Sequence, residues 1–204
     1  MRKELQKERR AEIEKAAYEL IDEKGFLNVS MLSIAKRAKA SNETLYRWYG
    51  DKIGLFKALV SQNAVHIKQQ LEDDLKVQGA PFEAIKKISP LLLELLTSER
   101  AIALNRAAAA DASGVLGAAL SEAGRQDILP IIALLFERVQ DDGLFPGFAM
   151  DELCSLYMKL LVGDLQIRRL IGAHEVLSQK QIHDQASQAL QYLMLLSNSK
   201  IVDE

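Results

Sequence analysis

Between Ile13 and Tyr49 the apolar residues fall into three groups at helical spacing, and the second and third groups are too short to stand alone. Ile13, Ala16, Ala17, Leu20 and Ile21 sit at i, i+3, i+4, i+7 and i+8, one face of a 3.6-residue repeat. Gly25 stops that helix, because glycine takes the left-handed conformation past a helix C-terminus at little cost. Ser30 then offers an N-cap, and Met31, Ile34, Ala35 and Ala38 form the second group. Ser41 offers the next, followed by Leu45, Trp48 and Tyr49 at i, i+3 and i+4. Each of these two helices spans only about two turns, so each must be wedged against longer neighbours. Sustained period-two alternation and hairpin turns are missing from the sequence. The expected fold class is all-α.

The same period continues downstream. Asp51 can cap a fourth helix reaching about Val77, with Phe56, Leu59, Val60, Ile67, Leu71 and Leu75 on its apolar side. Gly79, Ala80 and Pro81 break the chain, and further helices are predicted over about 82–97, 99–112, 115–142 with a break or kink near Pro130, 150–171 and 178–197. No Pro/Gly/Ser-rich linker separates residues 50–78. The boundary therefore falls within the fourth helix, giving a three-helix N-terminal domain over 1–51 and a helical bundle over 52–204, with a connecting helix at about 52–77.

Charge divides unevenly along the chain. The formal net charge is −2, but residues 1–57 carry 13 Lys/Arg against 9 Asp/Glu and residues 58–204 carry 13 against 19. A basic first quarter on an acidic remainder suggests that only the N-terminal end approaches nucleic acid. The one cysteine, Cys154, excludes an internal disulfide and reads as a core or interface thiol. No apolar run approaches the roughly 20 residues of a membrane span, so a cytoplasmic protein without a membrane partner is expected. His66, His174 and His183 lack zinc-ligand spacing, and no metal or cofactor is expected.

Two short helices joined by a tight turn suit a helix-turn-helix from about Ser30 to Tyr49. The first braces the second, whose exposed side enters the major groove, about 12 Å wide. With Leu45 and Tyr49 inward, the outward positions are Asn42, Glu43, Thr44, Tyr46 and Arg47, all able to hydrogen-bond phosphates or base edges. Arg47 suits a guanine edge, the commonest specific pairing. Trp48 either stacks at the DNA edge or belongs to the core. The basic arm Arg2, Lys3, Lys7, Arg9 and Arg10 either touches phosphates or frays.

These residues resemble the TetR/AcrR family of transcriptional regulators through Gly25-Phe26, Ser30, Ile34-Ala35, Ala38, Ser41, Thr44-Leu45-Tyr46, Tyr49, Lys52 and Leu55-Phe56. The resemblance implies a DNA-binding helix-turn-helix ahead of a helical ligand-binding and dimerisation domain. It implies Thr44, Tyr46 and Lys52 on phosphates and Asn42, Glu43 and Arg47 where bases are read; Ser30, Ser41 and Trp48 are counted with them as DNA-binding candidates. Two positions depart from the pattern. Lys39 stands where the turn usually has glycine, at a cost of about 1 kcal/mol, and Tyr49 replaces the usual phenylalanine, so its hydroxyl needs a partner or a path to solvent. Residues 90–172 are similar to the AefR-like ligand domains through Glu99-Arg100, Gly143-Leu144 and Leu161-Val162-Gly163-Asp164-Leu165 with Arg168 and Gly172.

The last two predicted helices carry apolar stripes suited to association: Leu153, Leu156, Tyr157 and Leu160, with Gly163 allowing close approach, and Ile182, Ala186, Leu190 and Leu193. Each stripe can be buried inside the monomer or paired with a second copy in a four-helix bundle. A two-fold dimer would present two reading helices about 34–36 Å apart, one turn of a palindromic operator. His66, Asn105 and Arg106 are polar positions on apolar stretches, where a bundle pocket places its orienting contacts. The expected protein is a ligand-responsive repressor, not an enzyme. Its partners are duplex operator DNA, a second copy of itself and a small apolar molecule that favours a misfitting helix spacing. The rivals are an architectural or division-control protein using the same motif without a ligand, and a helical-bundle enzyme, for which no nucleophile, metal or phosphate motif is found.

Overall fold

A computed structural model describes residues 2–76 and 79–200 of the chain. Eleven α-helices are found among these residues, and no strand. In order they are α1 (Arg2–Lys24), α2 (Met31–Arg37), α3 (Asn42–Tyr49), α4 (Lys52–Lys76), α5 (Pro81–Thr97), α6 (Glu99–Ala110), α7 (Val115–Leu120), α8 (Gln126–Asp141), α9 (Met150–Val162), α10 (Leu165–Leu170) and α11 (Gln179–Lys200). A 3₁₀ turn, Phe26–Asn28, follows α1, and a π turn, Ser121–Arg125, joins α7 to α8. The predicted end of the fourth helix at Val77 lies outside the described residues.

The chain forms two compact units that cut across sequence order. The first holds the residues up to Asn63 together with Ala103–Gly124, and the second holds Ala64–Ile102 and the chain from Arg125 on. Residues 52–63 and 103–124 thus join a body larger than the segment 1–51. Its core takes the whole stripe Ile13, Ala16, Ala17, Leu20 and Ile21 from α1, then Met31, Ile34, Ala35 and Ala38, Leu45, and Leu55, Phe56 and Leu59 from α4. Leu104, Ala107, Leu116 and Ala119 complete it. Phe26 meets Phe56 edge to face at 5.0 Å.

Local chemistry sets the helix ends of this unit. The Ser30 hydroxyl accepts from the Ser33 amide at 3.1 Å while the Ser33 hydroxyl accepts from the Ser30 amide at 3.0 Å, a reciprocal capping box. The Asp51 carboxylate accepts from the Gly54 amide at 2.7 Å and caps α4. Gly54 is needed for a different reason: a Cβ there would lie 1.8 Å from the Tyr49 carbonyl oxygen, so only glycine lets α4 start this close to the end of α3.

In the second unit α5, α8, α9 and α11 pack on one another around Leu71, Ile85, Ile88, Leu92, Ile132, Phe136, Leu153, Tyr157, Leu161, Ile182 and Leu193. An aromatic column runs Tyr157–Phe136–Phe145–Phe82, with centroid separations of 5.2, 6.2 and 5.8 Å. Three buried polar side chains of this unit, Ser89, Thr97 and Arg169, bond to backbone carbonyls. The Ser89 hydroxyl donates to the Ile85 carbonyl at 2.6 Å and shares a 2.9 Å bond with the Tyr157 hydroxyl, and the buried Arg169 donates to the Thr97 carbonyl at 3.1 Å.

Three expectations are corrected here. The helix predicted over 150–171 is two helices, because Gly163 adopts a φ of 51° and turns the chain between α9 and α10. The break expected near Pro130 falls earlier, at the π turn 121–125, and Pro130 lies inside α8, four residues past its start, where its missing N–H frees only the Gln126 carbonyl. The stripe assigned to a dimer interface is mostly monomer core. Leu153, Tyr157, Ile182, Ala186, Leu190 and Leu193 are all buried within one chain, Leu156 and Leu160 are half-buried, and only Gly163 is exposed. An apolar stripe marks burial and says nothing about which chain covers it. The apolar groups that α11 leaves exposed are Tyr192, Leu195 and Leu196.

Candidate nucleic-acid interface

The reading helix is held from four directions. Ser41 starts α3: its hydroxyl accepts from the Thr44 amide at 3.1 Å and bonds the Thr44 hydroxyl at 2.8 Å. Leu45, 0% exposed, anchors the inner face. Trp48 is half-buried against the core of this unit, with the Arg10 guanidinium 5.6 Å from its ring centroid. The turn before α3 closes by an Ala40 amide to Ala35 carbonyl bond of 2.9 Å, with Lys39 at a φ of 51°, the left-handed geometry the sequence implied.

What is left outward is polar. Asn42, Glu43, Tyr46 and Arg47 are exposed, and among the described residues their side chains make no hydrogen bond or ion pair within the protein. Thr44 is half-buried. A rod with one side locked in the core and the other offering an amide, a carboxylate, a phenol and a guanidinium is equipped to hydrogen-bond base edges and phosphates. α2 is fixed beneath it by Arg37, whose two terminal nitrogens reach the two Glu23 oxygens at 2.9 Å each, with Glu19 at 3.3 Å. Hydrogen bonding to Arg37 holds the Glu23 carboxyl below its ordinary range.

Other expected contacts already have partners in the protein. Ser30 and Ser41 serve first as helix caps. Lys52 donates to the Leu27 carbonyl at 3.0 Å with its ammonium 4.7 Å from the Phe26 ring centroid, and burial lowers its pKa from the ordinary lysine value. Of the basic arm, the Arg2 and Lys3 side chains lie outside the described residues, and Lys7 is exposed. Arg9 donates to the Lys39 carbonyl and pairs with Glu12. No periodicity flags a contact between residues 9 and 39, so the sequence could not have assigned it. The Tyr49 hydroxyl, expected to find a partner or solvent, is buried with neither, and its pKa is pushed up to about 12 by burial and by the nearby Glu14.

The three residues expected at a ligand pocket do not share a unit. His66 is exposed on α4 in the second unit, while Asn105, half-buried, and Arg106, exposed, lie on α6 in the first. Arg106 lines a cleft of about 350 Å³ with Ile21, Phe26, Asn28, Ala103 and Ala107. Among the described residues no group of three His, Cys, Asp or Glu could hold a metal ion, and no helix is long and apolar enough to cross a membrane. Cys154 is half-buried, its thiol pKa raised mainly by that burial.

Residues 13–59 match the model of the bacterial regulatory proteins of the tetR family, and residues 83–196 match that of the C-terminal domain of AefR-like transcriptional repressors. None of the curated proteins matches the chain. Solved structures share its fold. A TetR transcriptional regulator from Agrobacterium tumefaciens is 26% identical with a TM-score of 0.70 over 92% of this chain and 93% of that one. A TetR-family regulator from Mesorhizobium loti is 22% identical, with a TM-score of 0.74 over 93% and 96%. The regulator FadR from Bacillus subtilis, solved in complex with stearoyl-CoA, is 16% identical, with a TM-score of 0.71 over 90% and 97%. With a reading helix that exposes a polar face and the second match spanning more than half of its length, the chain belongs to the tetR family of bacterial transcriptional regulators, in the group with an AefR-like C-terminal domain.

Proposed function

We propose that this regulator is a ligand-responsive repressor that binds a palindromic operator as a homodimer and is not an enzyme. The observation that supports it best is the outward face of α3, where Asn42, Glu43, Tyr46 and Arg47 are exposed on a helix whose Leu45 is locked in the core. Ser30, Ser41, Thr44, Trp48 and Lys52 border that face and are assigned to phosphate contact and to holding the helix ends. A duplex recovered by the protein from a randomised pool tests the reading. It should be a palindrome, and its affinity should fall steeply with salt as phosphate-bound counterions are released. Equal affinity for a scrambled duplex would reject specific recognition.

The homodimer is assigned to the faces that α9 and α11 leave uncovered, through Leu156 and Leu160 on one and Tyr192, Leu195 and Leu196 on the other. Sedimentation equilibrium of wild type and of Leu195→Glu tests it, with a shift toward monomer expected in the variant. The effector is assigned to the second unit, by the match of residues 83–196 to the AefR-like C-terminal domain and by the apolar, aromatic lining that an opening of this core would offer. The Bacillus subtilis neighbour makes stearoyl-CoA the first compound to titrate. An inducer must bind the free protein more tightly than the DNA-bound protein, and equal affinities would refute the coupling.

A further inference from the structure

We propose that Arg9 is a positioning residue of the DNA interface: it clamps the carbonyl of Lys39 and so fixes the direction in which the chain enters the reading helix. The proposal rests on the DNA-binding reading above and extends it to a residue on α1, outside the helix that enters the groove. Lys39 carries a side chain at a φ of 51°, a backbone region that residues other than glycine enter only at a cost. Its ψ sets where its carbonyl points and, two residues on, where the Ser41 cap stands. A hydrogen bond to that carbonyl therefore restrains one of the few torsions that aim α3.

Arg9 is placed to supply it. It lies four residues before Ile13, on the same face of α1 as the first residue of the buried stripe, one turn beyond where the core begins. Its guanidinium donates to the Lys39 carbonyl, and Glu12 at i+3 orients it from the other side. The neighbouring Arg10 lies over Trp48, so two successive arginines hold the turn and the far end of the helix that it launches.

The test uses the full-length protein and the duplex it selects from a randomised pool. Arg9→Ala is expected to weaken that complex about tenfold, equivalent to about 1.4 kcal/mol, while the slope of log K against log salt stays as in wild type. Lys39→Gly, which removes the left-handed penalty, is expected to restore the Arg9→Ala protein to within about twofold of the Lys39→Gly protein alone. A slope smaller by about 0.9 in Arg9→Ala would show that Arg9 neutralises a phosphate and would overturn the clamp. So would unchanged affinity, or a double variant as weak as the sum of the two singles. If wild type selects no duplex, the DNA-binding reading fails and the clamp with it. If wild type binds and Arg9→Ala binds equally, the clamp alone fails.

Discussion

Tyr49 ends the reading helix with a hydroxyl that has no partner and no water-accessible surface, and its removal should stabilise the protein. Tyr49→Phe keeps the ring and opens no cavity, so the difference reports the hydroxyl alone. Leaving a buried donor or acceptor unsatisfied costs about 1–3 kcal/mol. Because the residue as a whole is only half-buried, the lower end applies, and a gain of about 1 kcal/mol is expected. That corresponds to about 4–8 °C in Tm if the first unit melts by itself and about 2–4 °C if the whole chain melts together. The assay is urea unfolding with m held equal between the two proteins.

A pH series sharpens the same test. The folded-state pKa of this phenol is pushed to about 12, with burial the larger cause, Glu14 adding to it and Arg10 opposing. A raised acid pKa means that the unfolded chain loses the proton first, so wild type sheds stability as pH climbs from about 10 towards 12. The advantage of Tyr49→Phe should therefore widen between pH 9 and 11.5. A variant that is less stable than wild type, or an advantage that is flat across that range, would refute the reasoning.

Gly54→Ala should cost about 3 kcal/mol or unfold the first unit outright, since its Cβ would meet the Tyr49 carbonyl at 1.8 Å and both partners are backbone; thermal melting read by circular dichroism checks it. Arg47→Ala should weaken binding to the selected duplex by about 1–3 kcal/mol and relax preference at one base pair, with little change in melting temperature; binding titrations across single-base variants of that duplex read both effects. Tyr157→Phe should cost about 1 kcal/mol in urea unfolding, since it removes one of two hydroxyls that satisfy each other in an apolar core, while Ser89 keeps its bond to Ile85.

Much of the first unit was legible because its determinants are local. The stripe from Ile13 to Ile21, the caps at Ser30, Ser41 and Asp51, and the left-handed turn at Lys39 are each settled by residues within a few positions, and the structure has them all. The outward side of α3 followed once Leu45 was placed inside. What could not be read depends on partners distant in sequence. Nothing near residues 103–124 says that they pack with the helix-turn-helix, and nothing in the Leu153–Tyr157 stripe says that α5, α8 and α11 of the same chain cover it. Gly163 reads in the sequence as a small residue easing helix approach, whereas its backbone conformation is the property in use. Gly54 carried no signal at all, because a close approach between a helix start and a preceding carbonyl has no periodicity.

The four exposed side chains of α3 bear on how such a protein changes over time. Asn42, Glu43, Tyr46 and Arg47 contribute no contact to the core that holds their helix, so folding places almost no selection on their identity. On the proposed reading, in which this face meets the bases, substitutions there redirect the molecule to new chromosomal addresses while its fold stays the same, and duplicated copies can part ways in target long before they part ways in architecture.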